Sequence, residues 1–205
     1  MPIESSNSRF LSKCVVANRT RKNILNFAEY KIPNPILSMC YFVIIRGPAG
    51  VGKTAVAKKL AARLGGTYIS FDKIMRENNL DKIEGTCIKA RNFIKANEIA
   101  IPEALKNLKN GKIVVFDGCF YHKSQAEHLI KNIPFNNYTF TLKATLNECI
   151  LRDKKRSNKA QIGEKRVREV YFLVSRIDYG VAMNTAKKAP EEIATECIFR
   201  MPKIR

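Results

Sequence analysis

From residue 41 onward the chain alternates short apolar runs with stretches whose apolar positions recur every three or four residues. The runs cover 41–45, 67–71, 113–116 and 138–142, and a shorter one lies near 181–183. Short runs of this kind suit strands of a parallel sheet covered on both faces. Helical spacing predicts helices over 55–64, 124–131, 164–179 and 190–199, another starting at 145, and a helix-rich excursion over 73–110. Strands alternating with helices predict a three-layer α/β/α fold around a five-stranded parallel sheet.

The punctuation agrees with this pattern. Gly65-Gly66 stops the first helix, Gly111 closes the excursion, and Thr145-Leu146-Asn147-Glu148 has the spacing of a capping box. Pro190 suits the first turn of the last helix. Inside the excursion, Ile94, Ile99, Ala104, Leu105 and Leu108 are the expected inward positions. Residues 1–38 break the pattern, being polar and basic with Pro2, Pro33 and Pro35 and one short helical stretch over 21–30. They are expected to be a poorly ordered extension, leaving 39–205 as the folded domain. Met39, immediately before the first strand, is a candidate native start.

Composition adds charge to this picture. Lys and Arg number 37 against 18 Asp and Glu, and the net charge of +19 favours anionic partners, nucleotides first and nucleic acid second. Solvated basic faces are the alternative source of that excess. The six cysteines lie far apart with no C-x-x-C pair, so they read as reduced thiols of a cytoplasmic protein rather than as a zinc or redox site. His122 and His128, six apart, fall on different faces of a helix and make a poor metal pair. The apolar run over 36–45 is too short to span a bilayer before Arg46 ends it, so no membrane is expected as a partner.

The chemistry is concentrated where the first strand meets the first helix. Gly47-Pro48-Ala49-Gly50-Val51-Gly52-Lys53-Thr54 fills every fixed position of G-x-x-x-x-G-K-[ST], the phosphate-binding loop. A backbone that wraps a triphosphate needs glycines, whose missing Cβ lets successive N–H groups point inward. Lys53 supplies a point charge for the β- and γ-phosphates, and Thr54 a hydroxyl for Mg²⁺. A guanine-reading N-K-x-D is lacking, since Asn158-Lys159-Ala160-Gln161 has no aspartate, and ATP is therefore the expected nucleotide.

In open α/β sheets ligands collect at the carboxyl ends of the strands, where Asp72 and Asp117 stand. Either acid alone would be explained by helix capping; two beside a phosphate loop point to function. Asp72 is the candidate general base that orients and deprotonates an acceptor hydroxyl, and Arg76, one turn on, would hold an anionic part of that acceptor. Asp117 ends a hydrophobic strand in the manner of a Walker B acid, serving either the Mg²⁺ shell or the acceptor. Arg152 and Arg156, four apart, would share a helical face and close over the transferring phosphoryl group, or else belong to a solvated basic helix. The segment 152–168 around them holds eight basic and two acidic residues, with Arg166 and Arg168 as further, weaker candidates.

The motifs GPAGVGKT (47–54), ISFDKIMR (69–76), IVVFDG (113–118) and LRDKKR (151–156), in this order over 40–200, resemble the small P-loop kinases: shikimate and gluconate kinases, polynucleotide 5′-hydroxyl kinases and zeta-toxin-like phosphotransferases, with an AAA-type ATP-binding domain. The resemblance implies ATP and Mg²⁺, a helical acceptor-binding insertion over 73–110 and a basic lid over 151–168. It departs from the polynucleotide-kinase branch in spacing Asp72 and Arg76 as D-x-x-x-R, and from shikimate kinases in having Gly118-Cys119-Phe120 where those carry a glycine triplet. The expected function is ATP-dependent phosphoryl transfer to a hydroxyl of a small metabolite, a nucleoside or a nucleic-acid 5′ end. The competing reading is a nucleotide-dependent nucleic-acid-binding or regulatory ATPase module.

Overall fold

The computed structural model describes residues 40–157 and 160–201. The expectations for 1–38 and for Met39 lie outside the described residues. Five parallel strands, β1 (Tyr41–Arg46), β2 (Thr67–Ser70), β3 (Val114–Gly118), β4 (Asn136–Lys143) and β5 (Val181–Asn184), stand in the order β2-β3-β1-β4-β5. Seven helices accompany them among the described residues: α1 (Lys53–Arg63), α2 (Phe71–Glu77), α3 (Ala90–Lys109), α4 (Lys123–Asn132), α5 (Leu146–Lys154), α6 (Glu164–Ser175) and α7 (Pro190–Arg200). With right-handed crossovers this order puts α1 and α7 on one face of the sheet, where they pack together, and α2 to α6 on the other.

The three-layer arrangement is the one the hydrophobic pattern predicts. β1, the middle strand, is buried from Phe42 through Arg46, as is the whole of β3. Phe42, Phe71, Phe116 and Phe140 are almost fully excluded from water, each burial contributing about 2 kcal/mol. The first helix stops at Gly65, which adopts φ 58°, while the N–H of Gly66 bonds the Ala61 carbonyl at 2.8 Å. Thr145 and Glu148 form the expected capping box, each side chain accepting from the other's backbone N–H.

The structure corrects several boundaries. β2 ends at Ser70 rather than Phe71, because the Ser70 side chain accepts the Lys73 N–H and starts α2. Asp72 therefore sits in the first turn of a helix, and Asp117 lies within β3 rather than just beyond it. The excursion is two helices joined by the loop 78–89. α3 buries Phe93, Ala96, Asn97, Ala100, Ala104 and Leu108, a stripe of three- and four-residue steps that leaves Ile99 45% exposed. α6 ends at Ser175, four residues short of expectation.

Candidate active site

The phosphate loop follows directly from β1. Gly50 adopts φ 80°, and a Cβ added there would lie 2.2 Å from the Cys149 carbonyl oxygen of α5, so only glycine fits. α1 begins at Lys53, and its first-turn N–H groups, which have no carbonyl partners within the helix, face an incoming anion. Lys53 is buried, and its ammonium donates to the Pro48 carbonyl across the loop at 3.0 Å. Burial disfavours that charge, but the acidic groups Cys119, Asp117 and Asp72 outweigh it and push the Lys53 pKa up. The Cys119 thiol is itself pushed up by burial.

Strand pairing delivers the first carboxylate. Asp117 stands opposite Ile45 of β1 and Ser70 of β2. Its Oδ2 accepts from the Thr54 hydroxyl at 2.7 Å and from the Tyr68 hydroxyl at 2.9 Å. Among the described residues its Oδ1 is buried with no hydrogen-bond partner. Burial raises the Asp117 pKa, against the pull of Lys53 and the Thr54 hydrogen bond, and burial likewise lifts Tyr68 to about 12. An orphaned carboxylate oxygen beside a hydroxyl is a pair of hard oxygen donors, the set Mg²⁺ prefers. Thr54 and Asp117 would hold that ion, which supplies charge neutralisation for phosphates.

Asp72 completes the acidic side. It is exposed in the first turn of α2, close enough for its charge to act on Lys53, Asp117 and Cys119. The neighbouring Phe71 anchors that turn, packing edge-on against Phe120 at 5.2 Å and tilted against Phe116 at 5.7 Å. Phe120 holds a left-handed φ of 46°, uncommon for a non-glycine residue and located where β3 turns toward the site. Arg76 lies exposed in the last turn of α2, on the same side as Asp72.

The two arginines expected to form a lid part company. Arg152, inside α5, donates to the Val51 carbonyl at 3.0 Å and to the Thr185 hydroxyl and carbonyl at 3.0 and 2.9 Å, clamping the phosphate loop to the segment after β5. Arg156 lies beyond the end of α5, so the pair does not share a helical face as expected. Its guanidinium pairs with Asp153 at 3.4 Å and its charge reaches Lys53. Of the two, Arg156 is the exposed one.

Several site residues escaped sequence reasoning. Arg46, fully buried at the end of β1, donates to Thr141 Oγ1 at 3.0 Å and to the Ile177 and Val174 carbonyls at 3.0 and 3.2 Å. It joins the root of the phosphate loop to β4 and to the end of α6. The only signal was a cation closing an otherwise apolar run. Tyr68 and Thr185 gave no signal, since their partners are distant in the chain; Asp153 was passed over although its partners lie within ten residues.

Comparison with known proteins agrees with this geometry. Residues 43–171 match the AAA domain family. The chain belongs to that family. It is similar to a putative adenylate kinase of Pyrococcus furiosus, 28% identical over 76% of this chain and 81% of the relative, and to a cytidylate kinase of Chlorobaculum tepidum, 32% identical over 65% of this chain and 53% of the relative. A gluconokinase structure from Sinorhizobium meliloti shares the fold with a TM-score of 0.61, at 16% identity over 77% of this chain and 89% of that one. The chain is thus similar in sequence and fold to small P-loop kinases. No helix among the described residues is long and apolar enough to cross a membrane.

Proposed function

We propose that this chain transfers the γ-phosphoryl group of ATP to a hydroxyl of a small molecule. The observation that carries the reading is the convergence of Lys53, Thr54 and Asp117 with a second carboxylate, Asp72, at one end of the sheet. Phosphoryl transfer asks a protein mainly for positioning and charge neutralisation. Lys53 and the first turn of α1 would hold the phosphates, and Arg156 would neutralise charge as it develops. Asp72 would accept the acceptor's proton at its carboxylate oxygen.

The names of the two relatives support a nucleotide acceptor as the second reading, in which the attacking group is a phosphate. Asp72 favours the hydroxyl: a carboxylate at the point of attack repels an anionic acceptor but orients and deprotonates an alcohol. Incubation with radiolabelled ATP and a panel of hydroxy metabolites, nucleosides, AMP, CMP and 5′-hydroxyl oligonucleotides tests both. Label on an alcohol supports the proposal, and label on AMP or CMP alone replaces it with the second reading. Salt-sensitive oligonucleotide binding without transfer would favour a nucleic-acid-binding module instead.

A further inference from the structure

Asp117 is held unevenly. Among the described residues two hydroxyls donate to it, and both reach the same oxygen: Thr54 from the first turn of α1 at 2.7 Å and Tyr68 from the edge strand β2 at 2.9 Å, each on Oδ2. The residue is only 1% exposed, yet its Oδ1 has no partner. A buried polar atom without a partner is costly. Crowding two donors onto one oxygen and none onto the other therefore reserves the second oxygen for a group from outside the chain.

Strand register explains how Tyr68 arrives there. Ser70 stands opposite Asp117, and Tyr68, two residues earlier in β2, lies on the same face of the sheet. Its ring runs along the sheet toward the carboxyl ends of the strands, bridging a rise of about 6.6 Å to bring the hydroxyl to the carboxylate. The side chain is half-buried, and the Lys58 ammonium, one turn on from Thr54 in α1, lies 5.6 Å from the ring centroid. A phenylalanine would fill this place equally well and deliver no donor. The two hydroxyls also differ in their duties: Thr54 belongs to the phosphate-loop motif and has its own oxygen to offer a cation, whereas the Tyr68 hydroxyl serves Asp117.

We propose that Tyr68 is a positioning residue that, by occupying Oδ2 together with Thr54, holds the Asp117 carboxylate to the presentation of one oxygen and so tilts the site toward Mg²⁺ and against Ca²⁺. Mg²⁺ demands a small, regular shell, whereas the larger Ca²⁺ accepts one or both oxygens of a carboxylate in a flexible one. With the phenol donor gone, Oδ2 keeps a single hydrogen bond and the carboxylate can turn to offer both oxygens. The inference rests on the kinase reading, since the cation concerned is the one that accompanies the nucleotide. It gives a function to a side chain outside the phosphate-loop motif.

Displacement of Mn²⁺ from the AMP-PNP complex tests this without turnover and without knowledge of the acceptor. With the full chain in excess over nucleotide, bound Mn²⁺ is followed by electron paramagnetic resonance while Mg²⁺ or Ca²⁺ is added, and the two titrations give the ratio of their affinities. In Tyr68→Phe the preference for Mg²⁺ over Ca²⁺ should shrink about fivefold relative to the parent protein, the size of one neutral hydrogen bond. Lys58→Gln, which uncovers the ring but keeps the hydroxyl, should retain the parent's ratio. A Tyr68 that served the fold alone would lower the Tm of Tyr68→Phe and leave the ratio unchanged. That result, or an equal change in Lys58→Gln, would overturn the inference and leave the kinase reading standing. Failure of the parent protein to bind AMP-PNP at all would remove the kinase reading and this inference with it.

Discussion

Thr54 donates its hydroxyl to Asp117 Oδ2 at 2.7 Å, linking the first turn of α1 to β3 across 63 positions of sequence. The bond aligns one carboxylate oxygen and leaves the other buried and unpartnered. A stability effect with a definite sign follows. Burial raises the Asp117 pKa above its unfolded value, so between the two values the folded chain holds a proton that the unfolded chain has released. Stability of the free protein therefore falls as pH rises through that window, over which ionising the buried carboxylate is a net cost. Asp117→Asn is expected to raise the Tm of the free protein at pH 7 by about 2–4 °C and to abolish the further rise given by nucleotide with Mg²⁺. A lower Tm in scanning fluorimetry would mean that the bonds from Thr54 and Tyr68 outweigh the desolvated charge.

Asp72 is exposed in a helix first turn, where loss of its charge leaves the core untouched. Asp72→Asn should cut turnover by about two to four orders of magnitude while AMP-PNP affinity stays near that of the parent. Steady-state kinetics with the acceptor found in the panel, beside a binding titration, separates the two quantities. Unimpaired turnover would take Asp72 out of the reaction.

The divided arginine pair predicts divided phenotypes. Arg152→Ala strips donors from the Val51 and Thr185 carbonyls and should destabilise the fold by about 2 kcal/mol, weakening nucleotide binding as the loop loosens. Arg156→Ala, which leaves the buried Asp153 carboxylate its two backbone N–H donors, should cost about 1 kcal/mol and lower kcat by about three orders of magnitude. Urea unfolding and single-turnover kinetics on the same preparations distinguish the two, and identical behaviour would show that the arginines act together after all.

Gly50 tolerates no side chain. In Gly50→Ala the new methyl meets the Cys149 carbonyl at 2.2 Å in a backbone conformation unfavourable to alanine, so the loop and α5 must move apart. AMP-PNP affinity is expected to fall by at least about tenfold, roughly 1.4 kcal/mol, in isothermal titration. Affinity equal to the parent's would show that α5 yields freely.

Arg46 is a buried cation that, among the described residues, contacts no carboxylate and is held by one hydroxyl and two carbonyls. Arg46→Ala should cost about 3–5 kcal/mol, because three acceptors lose their donor and a large cavity opens. Arg46→Met, which fills much of the space without a charge to bury, should recover part of that loss. Chemical denaturation of the two variants checks the order.

Much of this protein was legible in one dimension because its determinants are local. The strands of a doubly covered sheet are short apolar runs, the capping box at Thr145 is closed within four residues, and the loop from Gly47 to Thr54 must be contiguous to wrap a phosphate. Those features were enough to read the fold class and to single out the phosphate-loop motif and the acids to inspect. Tertiary structure alone decided the partnerships. Whether Arg152 reached for phosphate or for Thr185, whether Asp117 kept a free oxygen, and whether Arg46 lay inside or out depended on contacts between positions 33 to 131 residues apart. Hydrogen bonds are directional and satisfied by whatever the fold brings near, so residue type names a donor or an acceptor, and only the packed chain names its partner.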